Sequence, residues 1–222
     1  GYGDDGHTWG AELLLADLTG YRRLAQLRYA PMPGGDLAAR TPWRVAAGYA
    51  SLEPELAGWF ASAFEGVPAD DRRIVATQID RGVNAPLASS MGRLFDAVAA
   101  VLGVRRGAAY EGQAAMELEA LARHWVAGSV DDSRDPSEVI GEGPVQAHLP
   151  RIAVPVNGLP GECAVVDPVP VLAELGARAA AGEDAGLLAA AFHASIGEAT
   201  VELAAAACGE YGVSRVALGR SE

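Results

Sequence analysis

The 222-residue chain predicts a mixed α/β fold, and three observations carry that prediction. Two segments, 89–104 and 110–122, repeat their apolar residues at helical period. Two strand-like runs, 7–16 and 21–30, flank Asp17, Leu18, Thr19 and Gly20, the pattern of a hairpin. Half of the residues are hydrophobic, enough to bury one substantial core or two closely packed lobes.

The elements follow in chain order. The opening GYGDDG holds glycines at 1, 3 and 6, and glycine takes positive φ without a Cβ penalty. Its amides can therefore turn toward an anion; the same residues also serve a plain tight turn, and their spacing is neither a P-loop nor a dinucleotide fingerprint. After the hairpin, Thr41 before Pro42 has the form of an N-cap followed by proline at the first helical position, and Glu53 before Pro54 repeats it more weakly. Several short helices are expected over 41–79. In the next segment Met91, Leu94, Phe95, Val98 and Leu102 form one apolar stripe, with Ser89 and Ser90 stabilising the entry to the helix. In the one after, Ala114, Ala115, Leu118, Leu121 and Ala122 form the buried face. The stretch 131–161 is rich in Asp, Ser, Pro and Gly without a sustained period, and reads as a long excursion within a single domain spanning 1–222. A strand at 162–166, a helix at 171–181, a long Ala-rich helix at 186–211 and a buried closing strand at 213–218 complete the expectation.

The candidate chemistry sits on the two amphipathic segments. At roughly 100° per residue, Asp96 falls about 120° from the centre of its apolar stripe, between Gly92 and Ala99. A carboxylate beside two small residues leaves a low helix surface that a ligand or another backbone can approach. Glu111, Gly112 and Gln113 stand where the second helix begins, at its free N–H groups and positive dipole end. A ligand hydroxyl or phosphate can use such a place, and so can ordinary helix capping.

Charge narrows the function classes. The net charge is −12, from 29 acidic residues against 17 basic ones, and every basic residue is Arg. That balance repels phosphates over most of the surface and offers no basic stripe for a duplex. Cys163 and Cys208 lack partners at ligand spacing and read as buried free thiols of a reducing cytoplasm. His7, His124, His148 and His193 form no metal-binding pair, and His193, following Phe192 at the head of an apolar helix, reads as a hydrogen-bonded structural residue. The apolar region 187–207 is interrupted by His193, Glu198 and Glu202, which argues against a membrane span, and no signal-peptide pattern opens the chain. Arg44 and Arg93 lie near the candidate positions, and surface ion pairing is the ordinary role for both.

Four blocks carry a resemblance. GYGDDGHTWGAE at 1–12, PMPGGD with TPWRVA within 31–46, NAPLASSMGRLFDAVA at 84–99 and YEGQAAMELE at 110–119 resemble, in the same order, the C-terminal part of the HypF carbamoyltransferases of NiFe-hydrogenase maturation. AAAFHASIGEAT at 189–200 and VSRVALG at 213–219 extend the likeness along nearly the whole chain. More distantly, the two helical segments are similar to a pair in the universal tRNA threonylcarbamoyltransferases.

The resemblance implies a partial actin-like ATPase (ribonuclease H-like) fold, truncated at both ends, with a nucleotide held between lobes. It implies that Asp96 and Glu117 contact the nucleoside sugar, that Gly112 belongs to the same pocket with Glu111 and Gly92 beside it, and that Gly1, Tyr2 and Gly3 end a segment whose glycines approach phosphates. It assigns no catalytic residue here. The family's metal, Fe or Zn, is held by a His-rich segment upstream and an Asp downstream, both outside these residues, so no metal ligand is assigned. The implied activity passes a carbamoyl group from carbamoyl-adenylate, made elsewhere in the protein from ATP and carbamoyl phosphate with Mg, to the C-terminal cysteine of HypE, on the way to the cyanide ligand of hydrogenase iron. The implied setting is cytoplasmic, without nucleic acid or membrane. A noncatalytic nucleotide-binding fragment is the alternative, and a tRNA-modifying enzyme is a further one that the acidic composition opposes.

Overall fold

The computed structural model describes residues 1–129, 149–158 and 162–219. Two small sheets are covered by helices. The first has the order β1 (Thr8–Gly10), β5 (Leu87–Ser90), β4 (Ala30–Pro31), with β1 and β5 parallel and β4 antiparallel to β5. The second has the order β2 (Glu12–Ala16), β3 (Tyr21–Leu27), β7 (Ala164–Val166), β6 (Val156–Asn157). The expected hairpin is β2 and β3: Asp17 accepts from the amides of Thr19 and Gly20, closing the turn through its side chain. The run expected at 7–16 is divided, however. Its first part, β1, leaves the hairpin at Ala11 and pairs with β5, so one continuous sequence pattern feeds two sheets.

Short helices fill the next stretch as expected: a 3-10 helix Gly35–Arg40, then α1 (Pro42–Ala50), α2 (Leu56–Trp59), α3 (Ala61–Phe64) and α4 (Ala69–Arg81). Thr41 stands at the N-cap of α1 with Pro42 at the first position, but its hydroxyl donates to the Leu37 carbonyl, and no side chain caps the helix. Glu53–Pro54 starts no helix; α2 begins later, at Leu56.

Helix α5 (Met91–Val101) starts directly from β5, so Ser89 and Ser90 are strand residues. Ser90 caps α5, its Oγ accepting from the Arg93 amide at 3.4 Å, while Ser89 is buried and donates to the Glu12 carboxylate. Helix α6 (Gln113–Ser129) starts where Glu111, Gly112 and Gln113 were expected to begin it; it buries Ala114, Leu118 and Ala122. Helix α7 (Val169–Ala180) and helix α8 (Ala185–Tyr211) match their expected places closely. Asp184 starts α8 by accepting from the Leu187 amide at 2.9 Å, and Gly212, at φ 64°, ends it.

One contiguous core runs through α1, α5, α6, α7 and α8, with Tyr49, Phe60, Leu94, Leu118, Leu172 and Phe192 fully buried. By length and mean hydropathy α8 is able to cross a membrane. Its first half is instead the inside of this core, where Leu188 to Phe192 are buried and Phe192 meets the Phe95 ring edge-on at 4.9 Å.

Two expectations need correction. The closing strand over 213–218 is absent: those residues are exposed, Leu218 is 90% accessible, and the segment pairs with no strand of either sheet among the described residues, so its apolar alternation is left without a partner. Cys163 and Cys208 are free but only half-buried. The excursion at 131–161 lies mostly outside the described residues, as does His148; of its described part, Val156–Asn157 forms β6.

Candidate functional site

The site is built where β1 and β5 end. Both strands run in parallel toward the N-terminus of α5, so their carboxyl ends and the positive end of the helix share one edge of the molecule. Gly10 lies so close to Ser90 that a Cβ there would come within 3.2 Å of the Ser90 backbone, which shows how tightly the two strand ends meet.

Three charged side chains rise from this edge in order of exposure. The Asp96 side chain is 2% exposed, Arg93 12% and Glu111 74%. Arg93 lies between the two acids, with Nη1 3.3 Å from Asp96 Oδ2 and Nη2 3.5 Å from Glu111 Oε1. The Asp96–Arg93 approach is close enough for ion pairing but misses hydrogen-bond alignment: Asp96 Oδ2 and Arg93 Nη1 are both buried without a hydrogen-bond partner among the described residues. Burial pushes the Asp96 carboxyl up to about 6; Arg93 pulls it down and Glu111 pushes it further up.

The small residues keep this neighbourhood open. Gly92 is exposed, and a Cβ there would meet only the Ser90 hydroxyl at 3.8 Å. Gly112 sits at φ 80°, a conformation that side-chain-bearing residues rarely adopt, and its carbonyl accepts from the Met116 amide to begin α6. The expected neighbourhood of Gly92, Asp96, Glu111 and Gly112 is thus one place, joined through Arg93.

Glu117 is held separately. Arg105, from the connection between α5 and α6, clasps its carboxylate with Nε at 2.7 Å and Nη2 at 2.5 Å, and Gln113 Nε2 donates to it at 2.9 Å. This clasp holds the Glu117 carboxyl below its ordinary range.

Gly1, Tyr2 and Gly3 lie along β1. Tyr2 bridges Thr8 on the side of β1 away from β5, which sets this segment roughly 10 Å, two strand spacings, from Ser89. Here the Gly3 amide donates to the His7 carbonyl at 2.8 Å, and a Cβ on Gly3 would collide with the Trp9 indole at 2.0 Å. Trp9 in turn donates to Asp5, whose carboxylate also accepts from Tyr29 and Arg23.

Arg93 is the residue that sequence reasoning set aside; its i,i+3 spacing to Asp96 was the available signal. Arg44 is structural, bonding the Gln78 side chain at 3.2 Å. His193 is structural as expected, its Nδ1 2.7 Å from the Ala189 carbonyl. No group of three or more His, Cys, Asp or Glu residues is placed to hold a metal among the described residues, so these side chains do not fit a metal centre. Two surface hollows, of about 300 and 330 Å³, lie elsewhere, around Trp43 with Arg106 and around Ile74 with Arg81.

A parallel strand pair ending at a helix N-terminus and covered by helices defines an α/β domain. Residues 1–219 match the family model described as "Carbamoyltransferase, Kae1-like Domain, second subdomain", and the chain belongs to that family, with the α/β architecture of Kae1-like folds. It is similar to the carbamoyltransferase HypF2 of Cupriavidus necator, at 51% identity over 130 residues, 56% of this chain and 15% of that protein. It is 38% identical over 200 residues to the carbamoyltransferase HypF of Rhodobacter capsulatus, covering 90% of this chain and 22% of the relative. A carbamoyltransferase HypF homolog of Cupriavidus necator is 36% identical over 221 residues, 99% of this chain and 51% of that one. Among solved structures, a full-length HypF in a phosphate- and nucleotide-bound form superposes with a TM-score of 0.77 at 32% identity, over 96% of this chain and 24% of that chain. The HypF of T. kodakarensis superposes with a TM-score of 0.70 at 28% identity, over 96% of this chain and 25% of the other. The chain therefore spans from about a seventh to half of the length of these relatives.

Proposed function

We propose that this chain supplies the nucleoside-binding side of a carbamoyl-transfer site in a HypF-type protein of NiFe-hydrogenase maturation. The observation that carries the reading is the orphaned Asp96 Oδ2, buried beside Arg93 at the carboxyl ends of two parallel strands, in a chain of the Kae1-like carbamoyltransferase family. A buried carboxylate oxygen without a donor is a place for a ligand hydroxyl. A ribose offers two adjacent hydroxyls, and Asp96 and Glu111 offer two acceptors joined by one guanidinium. The fold neighbour whose structure is nucleotide-bound supports this choice of ligand.

In the proposed reaction the substrate is carbamoyl-adenylate, a mixed anhydride. The thiolate of the HypE C-terminal cysteine attacks the carbamoyl carbon; a C–S bond forms, the C–O bond to phosphate breaks, and AMP leaves with the electron pair. The work of this chain is orientation. Asp96 and Glu111 accept the ribose hydroxyls, and Gly92 and Gly112 allow the sugar to lie against the α5 and α6 ends, while Glu117 is held by Arg105 and Gln113. Gly1 to Gly3, beside β1, are the residues assigned to the phosphate.

The test is a calorimetric titration of the chain with AMP, repeated with Asp96→Ala. The proposal expects at least a ten-fold loss of affinity in the variant. Equal affinities would reject the assigned role of Asp96.

A further inference from the structure

Arg93 answers a question that the carboxylates leave open: how an acid with a 2% exposed side chain stays charged at the edge of an apolar core. It reaches both Asp96 and Glu111, yet its Nη1 makes no hydrogen bond, so the guanidinium is held by charge and not by a closed fork. Several polar groups on the helices around α5 are engaged elsewhere. Arg44 of α1 bonds Gln78, Glu117 of α6 bonds Arg105, Glu174 and Glu183 share Arg178 of α7, and His193 of α8 bonds the Ala189 carbonyl. Arg93 and Glu111 are the charges that act on Asp96.

We infer that Arg93 is a positioning residue of the nucleoside site, the shared counter-ion that keeps Asp96 a hydroxyl-accepting carboxylate and ties it to Glu111 across the gap between α5 and α6. The inference rests on the nucleoside reading above and deepens it. Its physical content is that Arg93 acts through Asp96: without the guanidinium, burial alone governs the carboxyl, which then takes a proton at higher pH and loses acceptor capacity. Glu111 anchors Arg93 from the solvent side, since its carboxylate is the exposed end of the series.

The experiment measures AMP affinity from pH 5 to pH 9 for the wild-type chain, Arg93→Gln, Arg93→Lys and Asp96→Ala, with ligand-free thermal unfolding over the same range. The wild type should lose affinity as pH falls through about 6. Arg93→Gln should move that midpoint up by about two pH units, weaken binding roughly ten-fold at pH 7 and regain it toward pH 9, while Arg93→Lys stays near the wild type. In the ligand-free protein, the pH-dependent part of stability should extend to higher pH in Arg93→Gln. A loss of affinity by one factor at every pH, or an unfolding profile unchanged in pH dependence, would overturn the inference and leave Arg93 a packing residue. Failure of the underlying reading looks different: the wild type would not bind AMP at any pH, or Asp96→Ala would bind as well as the wild type, and both proposals would fall together.

Discussion

Asp96 sets the behaviour of the site at the scale of single residues. Its carboxyl, at about 6 in the folded chain, stands above its ordinary value of 3.8. Between those values the folded state binds more protons than the unfolded one, so stability falls as pH rises from about 4 to 6 and the loss is complete above that window. That displacement is worth about 3 kcal/mol. Asp96→Asn should lose this contribution, so that its urea midpoint rises relative to that of the wild type between pH 4 and pH 7, on top of what the other carboxylates add to both; a constant difference between the two proteins would contradict the burial argument. Glu117 is the opposite case. Its clasp with Arg105 is about one-third exposed, so Glu117→Ala should alter stability by less than about 1 kcal/mol despite two close hydrogen bonds. A larger loss in chemical denaturation would mean that the clasp holds α6 in place.

At the scale of elements, α1 and α5 decide where the site edge lies. Gly48 of α1 packs directly on β4: a Cβ would stand 2.0 Å from the Pro31 carbonyl oxygen, a backbone atom that cannot swing aside. Gly48→Ala should therefore destabilise the chain by about 2 kcal/mol or more, read as a lowered thermal midpoint, because α1 must lift from the sheet. An unchanged midpoint would show that the helix has room to shift. The elements themselves were largely legible. The hairpin, the amphipathic α5 and the Ala-rich α8 each declare themselves by local period and turn chemistry. What local pattern does not carry is pairing. The division of 7–16 between two sheets depends on β5, some eighty residues away, and 213–218 stays exposed because no strand among the described residues pairs with it. The candidate site was legible in the same uneven way: periodicity put Asp96 off the apolar stripe beside Gly92 and three residues from Arg93, whereas its burial and the reach of Arg93 to Glu111 belong to the packing of α5 against the start of α6.

At the scale of the whole molecule, charge and family membership point the same way. A chain of net charge −12 whose described candidate residues are mostly acidic should show no salt-dependent retention of tRNA in filter binding at about 50 mM salt. Retention that weakens steeply with salt would instead favour a nucleic-acid substrate.

The central claim is that a nucleoside seats at the joined ends of β1, β5 and α5, against Asp96 and Glu111. Amide chemical-shift mapping with AMP tests it most directly. The account predicts that the largest shifts fall on Gly92, Arg93, Asp96, Glu111 and Gly112. Shifts confined to the hollow around Trp43 and Arg106, with the α5 and α6 ends unmoved, would contradict it.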